Sequence, residues 1–323
     1  MIRPDPAIIR IETICLEDER YRITREQDLG ALIRSIEHLG MINPPVLEQS
    51  PEGYRVVTGF RRLQAYRRLD RTQIEARLVN HTCREIDCLK LAIADNAMSR
   101  PLDILEEATA VVKLSAHFTD PRTFRETAAL LGISVNSQLA DKYRCLLRLP
   151  EGIRQQVASG VMPLAIALEL ESVDMPSALA VAGLFSMVQP TLSQQRELLS
   201  FMRDIAAAAG KSLSELIDEP TIAEICHADL DRKQKIVLLR SAIRRWRYPH
   251  LSRAEADFID RRKKLDLPSG MVLQPPKDFE SPAYNLTLIF ETPDDLRQQS
   301  ERLQEISLHP ELHAILERDI EDP

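Results

Sequence analysis

Three stretches of this 323-residue chain hold residues whose types and spacing could do chemistry. In TGFRRLQAYRRL, residues 58–69, a glycine ends an extended run and two arginines follow at the opening of a helix. Free backbone N–H groups and the positive helix end would face an anion there, and a guanidinium can hold phosphate with two hydrogen bonds. Gly59, Arg61 and Arg62 are the candidates, and Arg67 and Arg68 continue the same helix. The plainer reading is a basic surface helix with solvated arginines. In ADNAMSRPLDILEEA, residues 94–108, Asp95 and Asn96 are adjacent oxygen donors. Hard cations use such groups together with phosphate oxygens and water. The plainer reading is a turn and helix cap ahead of Pro101. The third stretch, residues 124–148, reads as helix, turn, helix. Ala128, Gly132 and Ile133 supply the small residue, the turn glycine and the apolar plug, and Ser134 can cap the second helix.

Other chemistries find no support. No GxSxG elbow, Walker A loop, GxGxxG turn or HExxH pair occurs. His309 and His313 are four apart but have no third ligand in view, so no metal site is read there. Cys15, Cys83, Cys88, Cys145 and Cys226 form no CxxC pair. Five reduced, mostly buried thiols are expected, with neither a disulfide framework nor a zinc site.

The elements that must position these residues follow from periodicity. Residues 8–16, IIRIETICL, alternate as a strand. REQDLGALIRSIEHL, residues 25–39, places Leu29, Leu32, Ile33, Ile36 and Leu39 at helical spacing, with Gly40 as C-cap. A loop through MINPPVLEQ enters a short strand, YRVVTG is a second and IEARLVN, residues 74–80, another. From residue 103 the strand signal stops. DILEEATAVVKLSAHF is an amphipathic helix with Leu105, Ala108, Val111, Val112 and Ser115 along one side. Helices continue through about residue 217, and two basic helices surround Trp246. MVLQPPKDFE and YNLTLIFET are strands, followed by two more helices.

Composition is that of a globular protein, 44% apolar and 28% charged. No apolar run reaches the ~18 residues of a membrane span, and no signal-peptide pattern opens the chain. A cytoplasmic protein without a membrane partner is expected. Net charge is −7, unevenly spread. Residues 161–230 carry 3 basic and 10 acidic groups, residues 231–268 carry 12 and 5, and residues 269–323 carry 4 and 12. A basic island on an acidic chain can still meet nucleic acid, because screening confines phosphate attraction to about 10 Å. It can equally pair with the acidic segments beside it.

In order, LGALIRSIEHLGMINPPVL, GYRVVTGFRRLQAYRRL, ADNAMSRPLDILEEA and the helix-turn-helix resemble the ParB chromosome- and plasmid-partition family over residues 8–165. The resemblance implies an N-terminal domain that binds CTP with Mg2+, closes as a clamp on DNA and hydrolyses the nucleotide slowly. It implies that Gly59, Arg61 and Arg62 hold the triphosphate and that Arg100 supports it. Asn43, in the loop from Gly40 to Pro44, would face the base. Asp95 and Asn96 would hold the metal, and Arg20 or Arg22 would be a further phosphate contact. Two departures stand out. The family's Gly-Glu-Arg-Arg is Gly-Phe-Arg-Arg here, and Phe60 cannot orient water or metal. The family's Glu-Asn is Asp95-Asn96, shorter by one methylene, and small displacements cost rate. Hydrolysis is therefore expected to be weak or absent, making the chain at most a weak CTPase. The sulfiredoxin activity found on this fold needs a cysteine at position 60.

On the second helix of the helix-turn-helix, Leu139, Tyr143 and Leu146 form the apolar stripe, about one residue late, so a lengthened turn is expected. The exposed face would carry Asn136, Ser137, Gln138, Asp141 and Arg144. Asn and Gln can read adenine edges, and Arg144 and Arg148 could hold the DNA backbone. The alternative is a trihelical packing unit that binds no DNA.

The expected class is α+β. A small ParB-type mixed α/β domain (1–100) precedes an all-helical middle domain (101–225) with the helix-turn-helix at 124–148. A basic helical linker (226–268) and a C-terminal β-β-α-α module (269–323) follow. The expected function is a CTP-regulated protein that binds double-stranded DNA in partition or transcription, on the nucleoid. It would act as a homodimer through the C-terminal module, alongside a partition ATPase. One alternative is a CTP-hydrolysing or nuclease-like enzyme with Asp95 as the catalytic acid. Another is an adaptor on an inactivated fold.

Overall fold

The computed structural model describes residues 4–25, 28–79 and 83–317. Glu26 and Gln27, Asn80 at the end of the third expected strand, and His81 lie outside them. The chain divides into two compact units, residues 1–186 and 187–323. The expected boundary after residue 100 thus falls inside the first unit, and that after 225 inside the second.

The first unit opens with β1 (Asp5–Arg10), β2 (Ile14–Cys15), α1 (Gly30–Leu39), β3 (Val46–Ser50), β4 (Gly53–Thr58), α2 (Phe60–Arg68), β5 (Gln73–Val79) and α3 (Glu85–Ala97). The strands form one mixed sheet in the order β1-β5-β3-β4-β2. β1–β5 and β3–β4 pair antiparallel, while β3–β5 and β2–β4 pair parallel. In β5, Ile74 and Ala76 are buried while Gln73, Glu75 and Arg77 face outward, as period-two alternation requires, and Val79 at the end of the strand is buried out of that phase. Phe60 and Leu63, three apart on α2, complete a core with Ile9, Ile14, Leu47, Val56 and Ile74.

The single strand expected over residues 8–16 is corrected by this topology. β1 and β2 occupy opposite edges of the sheet, so the chain must leave one edge and cross to the other. A 3-10 turn over Ile11–Thr13 makes the crossing, with Ile11 buried and its N–H donating to the Thr72 carbonyl at 3.0 Å. Gly53 makes room for this turn. Its φ is +132°, and a Cβ there would lie 2.3 Å from the Thr13 carbonyl oxygen.

The helical part comprises α4 (Ile104–Ser115), α5 (Pro121–Leu130), α6 (Ser137–Arg148), α7 (Glu151–Ala158), α8 (Leu164–Leu170) and α9 (Met175–Val188). α4 is the centre, packed on α3, α5, α6 and α7. Its buried face is Leu105, Ala108, Val111 and Leu114, plus Glu106; Val112 and Ser115 are only half-buried. Lys113 ties α4 to the sheet part by donating to the carbonyls of Glu19 (2.6 Å), Arg20 (3.0 Å) and Arg22 (2.9 Å). Arg25 does the same through Asp103 (3.1 Å) and Gln155 (2.9 Å).

The second unit holds α10 (Leu192–Ala209), α11 (Leu213–Ile217), α12 (Pro220–His227), α13 (Arg232–Arg247), α14 (Pro249–Lys264), β6 (Met271–Gln274), β7 (Asn285–Leu288), α15 (Pro293–Ser307) and α16 (Pro310–Leu316). The last four form the expected β-β-α-α module, its core built from Phe258, Leu265, Met271, Leu273, Ile306 and Ile315. β6 stops at Gln274 because Pro275 and Pro276 have no N–H for the ladder. Among the described residues no helix is long and apolar enough to cross a membrane.

Gly53→Ala should destabilise the first unit by about 2–3 kcal/mol, from the clash with Thr13 and the unfavourable φ. Urea titration followed by far-UV circular dichroism measures it; an unchanged midpoint would show that the turn moves aside freely.

Candidate functional site

β4 runs directly into α2 through Gly59, at φ +94° and ψ 22°. A Cβ at this position would lie 2.7 Å from Pro45 Cβ and 3.0 Å from Pro45 Cα. Only glycine fits both the backbone and the space. No side chain caps α2, so its first-turn N–H groups are left for an outside acceptor. The two arginines that follow diverge. Arg62 donates from Nη1 to the Asn43 carbonyl and, at 3.4 Å, to that of Pro44; from Nη2 it pairs with Asp95 at 3.1 Å. Arg61 turns toward α1 and donates to the Asp28 carbonyl at 3.2 Å, with its Nε buried and unpartnered.

A cavity of about 280 Å³ lies beside Arg62. Leu32, Ile36, Met41 and Ile42 give it an apolar side, and Asn43, Arg62, Asp95 and Ser99 a polar one. Gly40, at φ +75°, ends α1 with its N–H on the Ile36 carbonyl and starts the loop that forms the rim. The structure thus gathers Gly59, Arg62, Asn43 and Asp95 at one place. Arg61 starts from the same turn but faces the other way.

Three expected ligands are placed differently. Asp95 and Asn96 sit in the last turn of α3, not in a loop before Pro101. Neighbouring helical positions do not face each other. Asn96 donates from Nδ2 back to the Ala92 carbonyl at 2.8 Å, while Asp95 faces Arg62. Among the described residues no cluster of three His, Cys, Asp or Glu could hold an ion. Asp95, the one carboxylate here, is paired with Arg62 and Asn96 faces its own helix, so the two do not form a joint pair of donors. Arg100 is committed elsewhere. Its guanidinium makes two parallel bonds to Glu106, at 2.6 and 2.7 Å, and Glu106 is fully buried. Burial alone would raise the Glu106 pKa, but Arg100 and the Asp103 N–H hold it below the ordinary glutamate range. Periodicity does not mark Glu106, because a charged residue is expected outside; Asp103-x-x-Glu106 is nonetheless a capping-box spacing, and that box is present.

Phe60 is buried in the sheet core with the Arg22 guanidinium 5.8 Å from its ring centroid. No proton acceptor stands at that position. Arg22 also binds Glu19 and the Thr24 carbonyl, and Arg20 lies 4.0 Å from Glu85.

In the helical part, α5 ends at a turn whose Gly132 has φ +79°, while Ala128 and Ile133 are buried. The turn is longer than a Ser134 cap would allow. Asn136 caps α6 instead, its Oδ1 accepting from Leu139 N–H at 2.8 Å. Asn136, Ser137, Gln138, Asp141, Arg144 and Arg148 are all exposed, and Ala140, Tyr143 and Leu146 are buried. Asn136 spends its acceptor on the cap. Arg144 pairs with Asp141 and Ser115, and Arg148 with Glu171. In the basic segment, Arg240 pairs with Glu197 and Arg247 with Asp204, both on α10, and Arg244 pairs with Glu255. Of the cysteines only Cys88 and Cys226 are buried; Cys15 is exposed and Cys83 and Cys145 are intermediate, so the thiols are less buried than expected.

Residues 7–97 match the model of the ParB N-terminal domain. The first unit therefore contains a ParB-type α/β domain. The chromosome-partitioning protein ParB of Caulobacter vibrioides is 31% identical over 169 residues, 50% of this chain and 53% of its own. The nucleoid occlusion protein of Lysinibacillus sphaericus is 32% identical over 133 residues, 41% and 43% of the two chains. The chain spans about half the length of these relatives or less. A solved C-terminally truncated ParB from Caulobacter crescentus, complexed with CTP-gamma-S, overlaps 56% of this chain and 98% of its own. The identity is 24% and the TM-score 0.26, an overlay too loose to relate positions.

Arg100→Ala should cost about 3 kcal/mol at neutral pH, because it strands a buried carboxylate. The depressed Glu106 pKa stabilises the fold above the unfolded-chain value, and that contribution is lost as pH falls through the lower folded value. In the variant the unpaired carboxyl takes up a proton more readily, so the gap to wild type should shrink toward pH 3. Urea midpoints at both pH values test this; equal gaps would mean that Arg100 acts through packing alone.

Proposed function

We propose that this chain is a ParB-like DNA-binding protein whose α/β domain binds CTP beside Arg62. The observation that carries the reading is the Arg62 fork at the uncapped opening of α2, inside the segment that matches the ParB N-terminal domain. Arg62, Gly59 and the first-turn N–H groups would receive the phosphates. An incoming triphosphate competes with Asp95 for Arg62, and Asn43 on the cavity rim would meet the base. Arg61, with its unpartnered Nε, would join only by turning away from Asp28. Arg100 is left out of the phosphate set. Magnesium would take most of its shell from the nucleotide and water. Hydrolysis is not part of the reading, since Phe60 is in the core and Asp95 is the arginine's partner.

The exposed face of α6 would meet duplex DNA. Gln138 is the base reader, because the Asn136 oxygen is held by the cap. Ser137, Arg144 and Arg148 would contact phosphate, the arginines leaving exposed ion pairs that are individually weak. The C-terminal module would join two copies so that two such faces address one site, and a partition ATPase would be the partner.

Calorimetry of CTP, ATP, GTP and UTP into the protein, with and without magnesium, tests the nucleotide step. CTP-selective heat that falls at least tenfold in affinity in a folded Arg62→Ala variant is expected. No heat with any nucleotide, with or without duplex DNA, would leave a DNA binder or adaptor on an inactivated fold. For the DNA step, Gln138→Ala should relax sequence preference, while Arg148→Ala should weaken binding to all duplexes and flatten its salt dependence.

A further inference from the structure

Cys83 and Cys88 have no part in the function proposed above, yet the fold brings them together. Cys83 lies between β5 and α3, ahead of the Arg84 N-cap, and is partly exposed. Cys88 is in the opening turns of α3 and is fully buried. Its S–H points at the Cys83 sulfur, 3.4 Å away. A disulfide needs about 2.05 Å, so the sulfurs must close by about 1.4 Å. Cys83 is outside the helix, one residue ahead of the Arg84 carbonyl that accepts from Asp87 N–H and Cys88 N–H. The spacing of five residues is not a redox motif, and nothing in the sequence pattern marks the pair.

We propose that Cys83 and Cys88 form a reversible dithiol site for peroxides. Cys83, the member that solvent reaches, attacks a peroxide oxygen as thiolate. The O–O bond breaks, the leaving oxygen takes from water the proton that the Cys83 thiol had given up and departs as water or an alcohol, and Cys83 becomes a sulfenic acid. The Cys88 sulfur then attacks the Cys83 sulfur. The S–O bond breaks, and the Cys88 proton and the hydroxyl leave as water. Two thiols lose two electrons and two protons, and the peroxide takes both. Cys88 needs no contact with solvent, because its reaction partner is delivered from inside the protein. Burial pushes the Cys88 thiol pKa up, so it waits as S–H until the sulfenic acid forms. The bridge would staple the first turns of α3 to the connection from β5, at the opposite end of the helix from Asp95. A dithiol reductant reverses it.

Trypsin cuts between the two cysteines, after Arg84, which makes the test direct. Full-length protein is treated with hydrogen peroxide, alkylated, and digested without reductant. Residues 78–84 and 85–90 should appear as one linked species, lighter than the sum of the two by two hydrogens, and separate on reduction. In Cys83→Ser the peptide 85–90 should keep a free, alkylatable Cys88 after the same treatment. Cys83 ending as sulfinic acid, or linked to the exposed Cys15 of another molecule, would overturn the proposal. So would oxidation of Cys88 in the Cys83→Ser protein.

Discussion

The close approach of Gly59 to Pro45 is the constraint on which the site depends. The left-handed glycine lets β4 turn into α2 with no intervening loop, and it lets the backbone sit against the proline ring. Pro45 is itself held, because its carbonyl accepts from Arg77 N–H at 2.9 Å and so joins the loop to β5. The loop from Gly40 to Pro45 is therefore fixed at both ends, by the α1 cap and by the sheet. Arg62, in the first turn of α2, is then within reach of the Asn43 and Pro44 carbonyls, and its other nitrogen meets α3 at Asp95. One guanidinium bridges three segments that are distant in sequence. A side chain at position 59 would displace the loop and take the fork apart.

Features that depend on one residue's own conformational needs were legible in the sequence. Gly40, Gly59 and Gly132 were expected at a C-cap, a strand-to-helix turn and an inter-helix turn, and all three have positive φ. The exposed face of α6 followed from its period, set by Leu139, Tyr143 and Leu146, although Ala140 rather than Leu139 is the residue buried beside Tyr143 and Leu146. Features that depend on partners far away were not legible. IIRIETICL alternates well enough for one strand, yet residues 8–10 pair with β5 and residues 14–15 with β4, so the chain must cross the sheet. Nothing local distinguishes Ser134 from Asn136 as a cap; the length of the turn decides. Arginine type told of reach but not of destination, and Arg100 went to Glu106.

The charge pattern resolves in the same way. An acidic chain with a basic island suggests a patch open to phosphate, but α10 supplies Glu197 and Asp204 to α13. Arg245, Arg253, Arg262 and Lys263 remain exposed with no ion pair among the described residues. Net charge over a segment thus overstates the field that a partner would meet, because pairing takes place within the fold before any ligand arrives.

Burial sorts the arginines by whether they can be lent to a ligand. Arg144 and Arg148 face exposed carboxylates, which water resolvates once the arginine leaves. Arg62 is intermediate: Asp95 is exposed and can stand alone, but the Asn43 and Pro44 carbonyls hold the guanidinium in place while its second nitrogen changes partner. Arg100 cannot be released, because Glu106 has no water to turn to and would carry an unpaired charge inside α4. The same residue type is therefore structural at one position and available at the next. The difference lies in the solvent access of the acid it pairs with, a property of the folded chain that no motif states.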